Sequence, residues 1–218
     1  MAKKTIVHKI VFLLFCFALS LSACFANIMP LNTEDIPDTA IGLYQTGKRI
    51  TIYSKPDSAS KKLVDLEIIY PNMTEQKSDN MFAIVIPQKD LGYLYVTDIS
   101  DDEQWVQVIY DKGSSATGWA YKTDDFQFMS WGDFFNFYGR KYGLTRLKPE
   151  NNCADIYSNP DEKAQIIERL SHPKFIRMIS LEGNWVLVSI FDYSNNTTTG
   201  YVQWRDKTGK IFFFPILK

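Results

Sequence analysis

The sequence predicts an all-β protein that contains two small β-barrels in tandem. The pattern Ile-Tyr-Ser-x-Pro-Asp occurs at residues 52–57 and again at residues 156–161. Each copy is followed, in the same order, by an amphipathic stretch that ends in leucine, a tryptophan on an alternating strand and the triplet Thr-Gly-aromatic. Four landmarks in one order indicate an internal repeat. Aromatic residues make up 15% of the chain, and Gly, Pro, Asp and Ser clusters separate its short apolar stretches, as is typical of β structure.

The N-terminus predicts an export signal. Residues 1–9 contain three lysines and no acidic residue, and residues 10–21 form an almost unbroken apolar run. A basic start, an apolar core of this length and small residues after it are typical of a signal peptide. A membrane-spanning helix needs about 20 apolar residues, which is more than this segment offers. We therefore expect residues 1–23 to be a signal peptide and the protein to be exported.

Residues 21–24, Leu-Ser-Ala-Cys, are similar to the lipobox of bacterial lipoproteins. This resemblance implies that Cys24 becomes the lipidated first residue of the mature chain, so that the protein contacts the membrane through a lipid anchor only. Cleavage after Ala26 is the alternative. Residues 24–41 contain a polar, acidic stretch with two prolines and no apolar periodicity, which predicts a tether.

The charge of the chain excludes nucleic acid as a partner. Without residues 1–23 the chain has 21 Lys and Arg against 25 Asp and Glu, a net charge of −4. A nucleic-acid-binding protein carries a basic patch or stripe, and the mature sequence has no basic run longer than two residues.

The first repeat spans residues 42–128 and shows alternating or apolar segments between turn signals. The predicted strands are 49–53, 62–69, 81–86, 91–96, 105–110 and 118–121. Compared with the second repeat, the first has 24 extra residues, at about 70–89. Such an insertion is either a loop that carries specificity or an extra hairpin that covers apolar surface.

A connector at residues 129–142 separates the repeats and is rich in aromatic residues. Eight aromatic side chains occur between positions 126 and 142. Ser130 and Asp133 have the spacing of a capping box, which predicts a short helix from Trp131 to about Tyr138. We expect the aromatic rings to pack between the two repeats, since small domains have little apolar core of their own. The alternative is that they line a ligand groove. The second repeat follows at residues 143–218.

The repeated motifs resemble the bacterial SH3-like domain family. In that family an opening strand and a proline turn lead to a central Trp-x-x-Val strand and a closing Gly-aromatic step. The matching residues are Tyr53, Pro56, Trp105, Val108, Gly118 and Trp119 in the first copy, and Tyr157, Pro160, Trp185, Val188, Gly200, Tyr201 and Val202 in the second. The resemblance implies two SH3-like β-barrels in an envelope protein. The opening strand departs from the family, since Tyr-Ser replaces its usual Asn-Val-Arg.

The sequence offers no catalytic constellation. Cys153 and His172 lie within one small repeat, and we interpret them as structural residues and not as a nucleophile with its base. No Cys-x-x-Cys or His-Glu-x-x-His spacing predicts a zinc site, and the acidic run 101–103 lacks the spaced ligands and glycine of a calcium loop. We therefore expect a protein without enzymatic activity, metal or cofactor.

These observations together predict an exported, non-catalytic binding protein of the bacterial envelope. Its expected partner is a cell-wall peptide or glycan, or an envelope protein. Exposed aromatic residues are favoured contact residues because large rigid rings bury area at low entropic cost. The candidate ligand-binding residues are Tyr53, Trp119, Tyr157, Tyr201 and Trp204. Trp105 and Trp185 are expected in the core. Alternative functions are a periplasmic inhibitor or immunity-type protein, or an accessory subunit of a wall hydrolase.

Overall fold

The computed structural model describes residues 30, 33–68, 80–86, 89–124, 127–148, 155–170 and 175–217. Within these residues the chain consists mostly of β-strands in two antiparallel sheets, and a twelve-residue helix at 131–142 follows the first sheet. The prediction of an all-β protein is confirmed. In the part of the chain that the structure describes, no helix is both long and apolar enough to cross a membrane.

The first sheet contains eight strands. They are β1 (Gly42–Gln45), β2 (Arg49–Tyr53), β3 (Lys62–Glu67), β4 (Ile84–Ile86), β5 (Leu91–Ile99), β6 (Trp105–Asp111), β7 (Ala116–Tyr121) and β8 (Phe128–Ser130). Their order in the sheet is β3-β2-β7-β6-β5-β1-β8, and β4 pairs with β5. The predicted strands all occur; β2 has the predicted bounds, and the bounds of the others are shifted by one to three residues. β1 and β8 are additional strands that the sequence patterns did not indicate.

The second sheet contains seven strands with the same arrangement. They are β9 (Leu144–Arg146), β10 (Asp155–Tyr157), β11 (Ile166–Arg169), β12 (Phe175–Glu182), β13 (Trp185–Phe191), β14 (Thr197–Gln203) and β15 (Phe213–Pro215). Their order is β11-β10-β14-β13-β12-β9-β15. If β4 is left out and the strands of each sheet are numbered from one along the chain, the two sheets have the same strand order. The internal repeat of the sequence is therefore also a repeat of topology.

The two copies agree down to the turn that follows the opening strand. Ser54 and Ser158 each donate their backbone N–H to the carbonyl oxygen seven residues later, at 2.9 Å in both cases. The carboxylates of Asp57 and Asp161 each accept a 2.9 Å hydrogen bond from the backbone N–H two residues later. An aspartate that bonds the backbone two residues on forms a turn without help from the rest of the fold. The Pro-Asp pair of the repeated motif thus encodes this turn locally.

The described part of the insertion forms an extra hairpin. β4 pairs antiparallel with β5, and all six residues at 81–86 are buried. The side chain of Lys112 donates a 3.0 Å hydrogen bond to the carbonyl oxygen of Phe82 and ties the hairpin to the sheet. These contacts favour the interpretation that the insertion covers apolar surface. Residues 69–79 and 87–88 lie outside the described residues.

The predicted connector helix is present and begins at its expected cap. The hydroxyl of Ser130 accepts a 3.2 Å hydrogen bond from the backbone N–H of Asp133 and donates one of 2.6 Å to its carboxylate. The helix starts as an α-helix, changes to a π-helix over Phe135–Gly139 and returns to an α-helix. It runs to Tyr142, four residues beyond the predicted end, and stops at Gly143, whose φ of +86° favours glycine.

The rings of the connector helix pack against both sheets. Trp131 lies 6.4 Å from the ring of Tyr95 in the first sheet and 6.1 Å from that of Phe214 in the second. Phe135 is fully buried, and its ring contacts that of Trp204 of the second repeat at 4.3 Å with a tilt of 44°. One apolar cluster consequently contains residues of both sheets and of the connector. The rings of Trp131, Phe134 and Phe135 thus lie between the repeats as expected, whereas Phe137 is 60% exposed.

Candidate functional site

Each sheet has one face in the apolar core and an opposite face lined by aromatic residues. In β6, Val106 and Val108 are fully buried in the core. Side chains alternate along a strand, so Trp105 and Gln107 lie on the opposite face. In β13, Val186 and Val188 take the core positions in the same way, and Trp185 lies on the opposite face.

The first platform is the group of four aromatic residues on this opposite face of the first sheet: Tyr53, Trp105, Trp119 and Tyr121. Tyr53 is the direct cross-strand partner of Trp119, and Trp105 is that of Tyr121. Trp105 meets the ring of Tyr53 at 5.6 Å and that of Tyr121 at 5.0 Å, both edge to face. Trp105 is buried beneath these rings, whereas Tyr121 is 45% exposed. The result is an aromatic surface with a buried tryptophan as its floor.

The second platform is the equivalent group in the second sheet: Tyr157, Trp185, Tyr201 and Gln203. Tyr157 pairs with Tyr201, and Trp185 pairs with Gln203. The rings of Tyr157 and Trp185 lie 5.2 Å apart at 82°, which reproduces the edge-to-face contact of the first platform. Gln203 stands where the first platform has a tyrosine. The second platform is therefore a smaller aromatic surface on the same frame.

Two backbone features place these tyrosines. The register of the opening strand shifts between Ile52 and Tyr53 in the first sheet and between Ile156 and Tyr157 in the second. A β-bulge of this kind redirects the following side chain. Both bulges lie against the glycine of a Thr-Gly-aromatic triplet, Gly118 in the first sheet and Gly200 in the second.

The platforms differ in the polar groups at their edges. At the edge of the first platform, the Tyr121 hydroxyl donates to the uncharged amide oxygen of Gln104 at 3.4 Å. At the edge of the second platform, the Tyr201 hydroxyl donates to Glu182 at 3.2 Å. The Gln203 amide donates at 3.3 Å to Glu162, which also forms an ion pair with Lys207 at 3.4 Å. Partial burial, and then the bond to Glu182, raise the pKa of Tyr201 above its ordinary value. The hydrogen-bond partner is therefore an amide at the first platform and carboxylates at the second.

Four of the five predicted ligand-binding residues lie on the platforms: Tyr53, Trp119, Tyr157 and Tyr201. The fifth prediction, Trp204, is corrected by the structure. Its ring is 2% exposed, its indole N–H donates a 2.8 Å hydrogen bond to the carbonyl oxygen of Gly183, and it packs on the connector helix. Position 204 comes directly after β14, and the alternation that turns Tyr201 and Gln203 outward turns Val202 and Trp204 inward, where both are buried.

The predicted burial of Trp105 and Trp185 is confirmed, at 7% and 9% exposure. Neither belongs to the main apolar clusters, because both lie under tyrosines on the opposite face. Tyr121 is a platform residue that the sequence reasoning missed. Its position two residues after Trp119 on an alternating strand was the signal that could have found it.

The described residues contain no group of three or more His, Cys, Asp or Glu side chains that could hold a metal ion. Cys24, Cys153 and His172 lie outside the described residues, so their predicted roles stay predictions. No protein-family model matches the chain, and no curated protein sequence matches it significantly. The resemblance to the SH3-like family accordingly stays a prediction that rests on the repeated motifs.

Proposed function

We propose that this chain is a non-catalytic binding protein of the bacterial cell envelope, made of two SH3-like barrels, which holds its ligand on the two aromatic platforms. It is exported, and a lipid on Cys24 anchors it. Its ligand is peptidoglycan or a protein partner in the envelope.

The observation that carries the proposal is the repetition of the platform. Tyr53 and Tyr157, like Trp105 and Trp185, occupy equivalent positions in two sheets of identical strand order. The outward face of a sheet ordinarily carries polar side chains, so aromatic residues there need an explanation. Rigid rings with a polar edge are typical of binding surfaces, because they bury large area and lose little conformational entropy.

The insertion gives less support to the inhibitor reading. That function requires a segment that projects into the cleft of a partner, and residues 81–86, a described part of the insertion, are buried and do not project. The platforms, by contrast, are partly exposed at equivalent places in both repeats.

Trp119 and Tyr201 are the residues to test. Both are half-buried, and neither takes part in the ring contacts of Tyr53 with Trp105 or of Tyr157 with Trp185. Trp119→Ala and Tyr201→Ala should each lower retention on isolated peptidoglycan about tenfold, as expected for contact residues worth more than about 1 kcal/mol. The double variant should abolish retention. Tyr193→Ala is the matched control, since Tyr193 is 75% exposed and lies in the turn after β13.

Three outcomes separate the possibilities. Loss of retention in the double variant, with an unchanged circular dichroism spectrum, supports the platforms as the binding site. If the double variant is retained as well as Tyr193→Ala, the platforms are not the binding site. Capture of a stoichiometric protein partner from envelope extract, without retention on peptidoglycan, favours the accessory or inhibitor function.

A further inference from the structure

A second candidate site lies away from the platforms, beside the connector helix. A cleft of about 670 Å³ opens between this helix and the strands β1 and β8 of the first sheet. Gln45 of β1 and Phe128 of β8 form one wall, and Asp133, Asn136, Phe137 and Tyr138 of the helix form the other. Binding pockets for small ligands range from about 300 to 1,000 Å³, so the cleft has the size of a ligand site.

The π-helical turn places the residues of this cleft. Phe134 and Phe135 are consecutive and both fully buried, whereas Phe137 is 60% exposed. The turn of π-helix begins at Phe135 and includes three lining residues, among them Asn136 and Tyr138. Such turns are rare and occur frequently at functional sites. Here the turn lets the helix bury two rings against the sheets and direct a third to the cleft.

The polar side chains of the cleft have unused hydrogen-bonding capacity. Asn136 makes no side-chain hydrogen bond to any described residue. The amide oxygen of Gln45 accepts a 2.9 Å bond from the Tyr93 hydroxyl, which leaves its two N–H donors for a ligand. Because Tyr93 gives its proton to Gln45, Tyr138 must be the donor in their 2.9 Å contact, and its oxygen stays an acceptor.

Asp133 adds a carboxylate of which one oxygen is free. One oxygen of the carboxylate accepts the 2.6 Å bond from Ser130 at the start of the helix, and no described residue bonds the other. No lysine or arginine is among the lining residues that the structure describes. A ligand that carries phosphate or carboxylate would face this acid without a counter-ion, so the cleft disfavours anionic ligands.

We propose that this cleft binds a neutral, polyhydroxylated ligand, namely a short stretch of glycan. A sugar ring has an apolar C–H face that packs on aromatic rings such as Phe137 and Phe128. Its hydroxyl groups both donate and accept, which matches the amide of Asn136, the N–H groups of Gln45 and the carboxylate of Asp133. A purely apolar ligand would desolvate these groups without replacing their bonds to water, which is costly.

The test uses the full chain, kept in a detergent whose headgroup contains no sugar, and three neutral probes: chitotriose, cellotriose and maltotriose. Saturation-transfer NMR detects binding, and calorimetric titration measures affinity. We expect at least one trisaccharide to bind. Phe137→Ala and Asn136→Ala should each weaken its binding roughly fivefold to tenfold, consistent with the loss of one packing or hydrogen-bonding partner. Phe137 is exposed, so its truncation leaves the fold intact, as circular dichroism checks.

The controls separate the cleft from the platforms. Tyr193→Ala should leave trisaccharide affinity unchanged, since Tyr193 is exposed and lines neither the cleft nor a platform. If none of the three sugars binds, or if Phe137→Ala and Asn136→Ala bind as the wild type does, the proposal is wrong. If Trp119→Ala alone weakens sugar binding, the platforms and not the cleft are the glycan site. The platform proposal is tested on peptidoglycan by other variants, so the two proposals can fail separately.

Discussion

The glycine of each Thr-Gly-aromatic triplet provides the sharpest test of the repeated fold. Gly118 and Gly200 lie in equivalent register, opposite Val108 and Val188. We predict that Gly118→Ala and Gly200→Ala each destabilise the protein, because neither position has room for a methyl group. The substitution leaves charge and hydrogen bonding unchanged, so any loss of stability reports packing alone.

The magnitude follows from the contacts that an added Cβ would make. At Gly118 it would lie 2.5 Å from Cγ2 of Ile52 and 3.0 Å from the carbonyl oxygen of Tyr53. At Gly200 it would lie 2.6 Å from Cγ2 of Ile156 and 2.8 Å from the carbonyl oxygen of Tyr157. The opening strand must move away in both cases, and overpacking of this kind costs about 1–3 kcal/mol.

Thermal unfolding of the full chain, followed by tryptophan fluorescence, measures the effect. For a protein of this size, about 1–3 kcal/mol corresponds to a melting temperature lowered by roughly 2–12 °C. Gly47→Ala is the matched control, since an added Cβ there meets no atom within 4 Å. It should be neutral or stabilise by up to about 1 kcal/mol, because alanine restricts the unfolded chain. If the Gly118 and Gly200 variants melt within about 1 °C of this control, the shared packing of the two repeats is wrong.

Three further predictions concern the buried Trp105 and Trp185, the stability of the fold at low pH, and the lipid anchor. Trp105→Ala and Trp185→Ala should each lower the free energy of unfolding by about 3–5 kcal/mol in urea titrations, as for other large buried rings. If these variants unfold at the same urea concentration as the wild type, the two rings lie on the surface and the prediction is wrong. The hydrogen bond from Arg49 lowers the pKa of Asp65 to about 2, and bonds from Asn196 lower that of Asp192. Carboxylates with lowered pKa stabilise the fold above their ordinary pKa of about 4, so the melting temperature should fall as the pH drops from about 4 to 2. Asp65→Asn should flatten this pH dependence, and a flat wild-type profile would contradict the reasoning. A fatty-acid probe should label the wild-type chain in cells and leave Cys24→Ser unlabelled, whereas a mature protein that begins at Asn27 would contradict lipidation.

The sequence predicted those parts of the fold that depend on local patterns. β2, at 49–53, was predicted to the residue, because an alternating pattern is followed directly by a Pro-Asp turn. The cap at Ser130 was predicted from its spacing to Asp133 for the same reason. Strands β1, β8, β9 and β15 were missed, since each has only three or four residues and exists through pairing with strands distant in the chain. A strand that short has no periodicity to detect.

The candidate sites show the same division between local and distant causes. Strand alternation suffices to place Trp119 and Tyr201 outward, so a repeat in the sequence predicts a repeated surface. The direction of Phe137 has another origin, because Phe137 lies within the π-helical turn over Phe135–Gly139. An ideal α-helix gives each residue a fixed direction at 100° intervals, and a five-residue π-turn shifts every later side chain relative to that pattern. The shift is stabilised by the burial of two consecutive rings between sheets that no local pattern brings together. The platforms are therefore a property of the repeated motif, and the cleft is a property of how the two copies are joined.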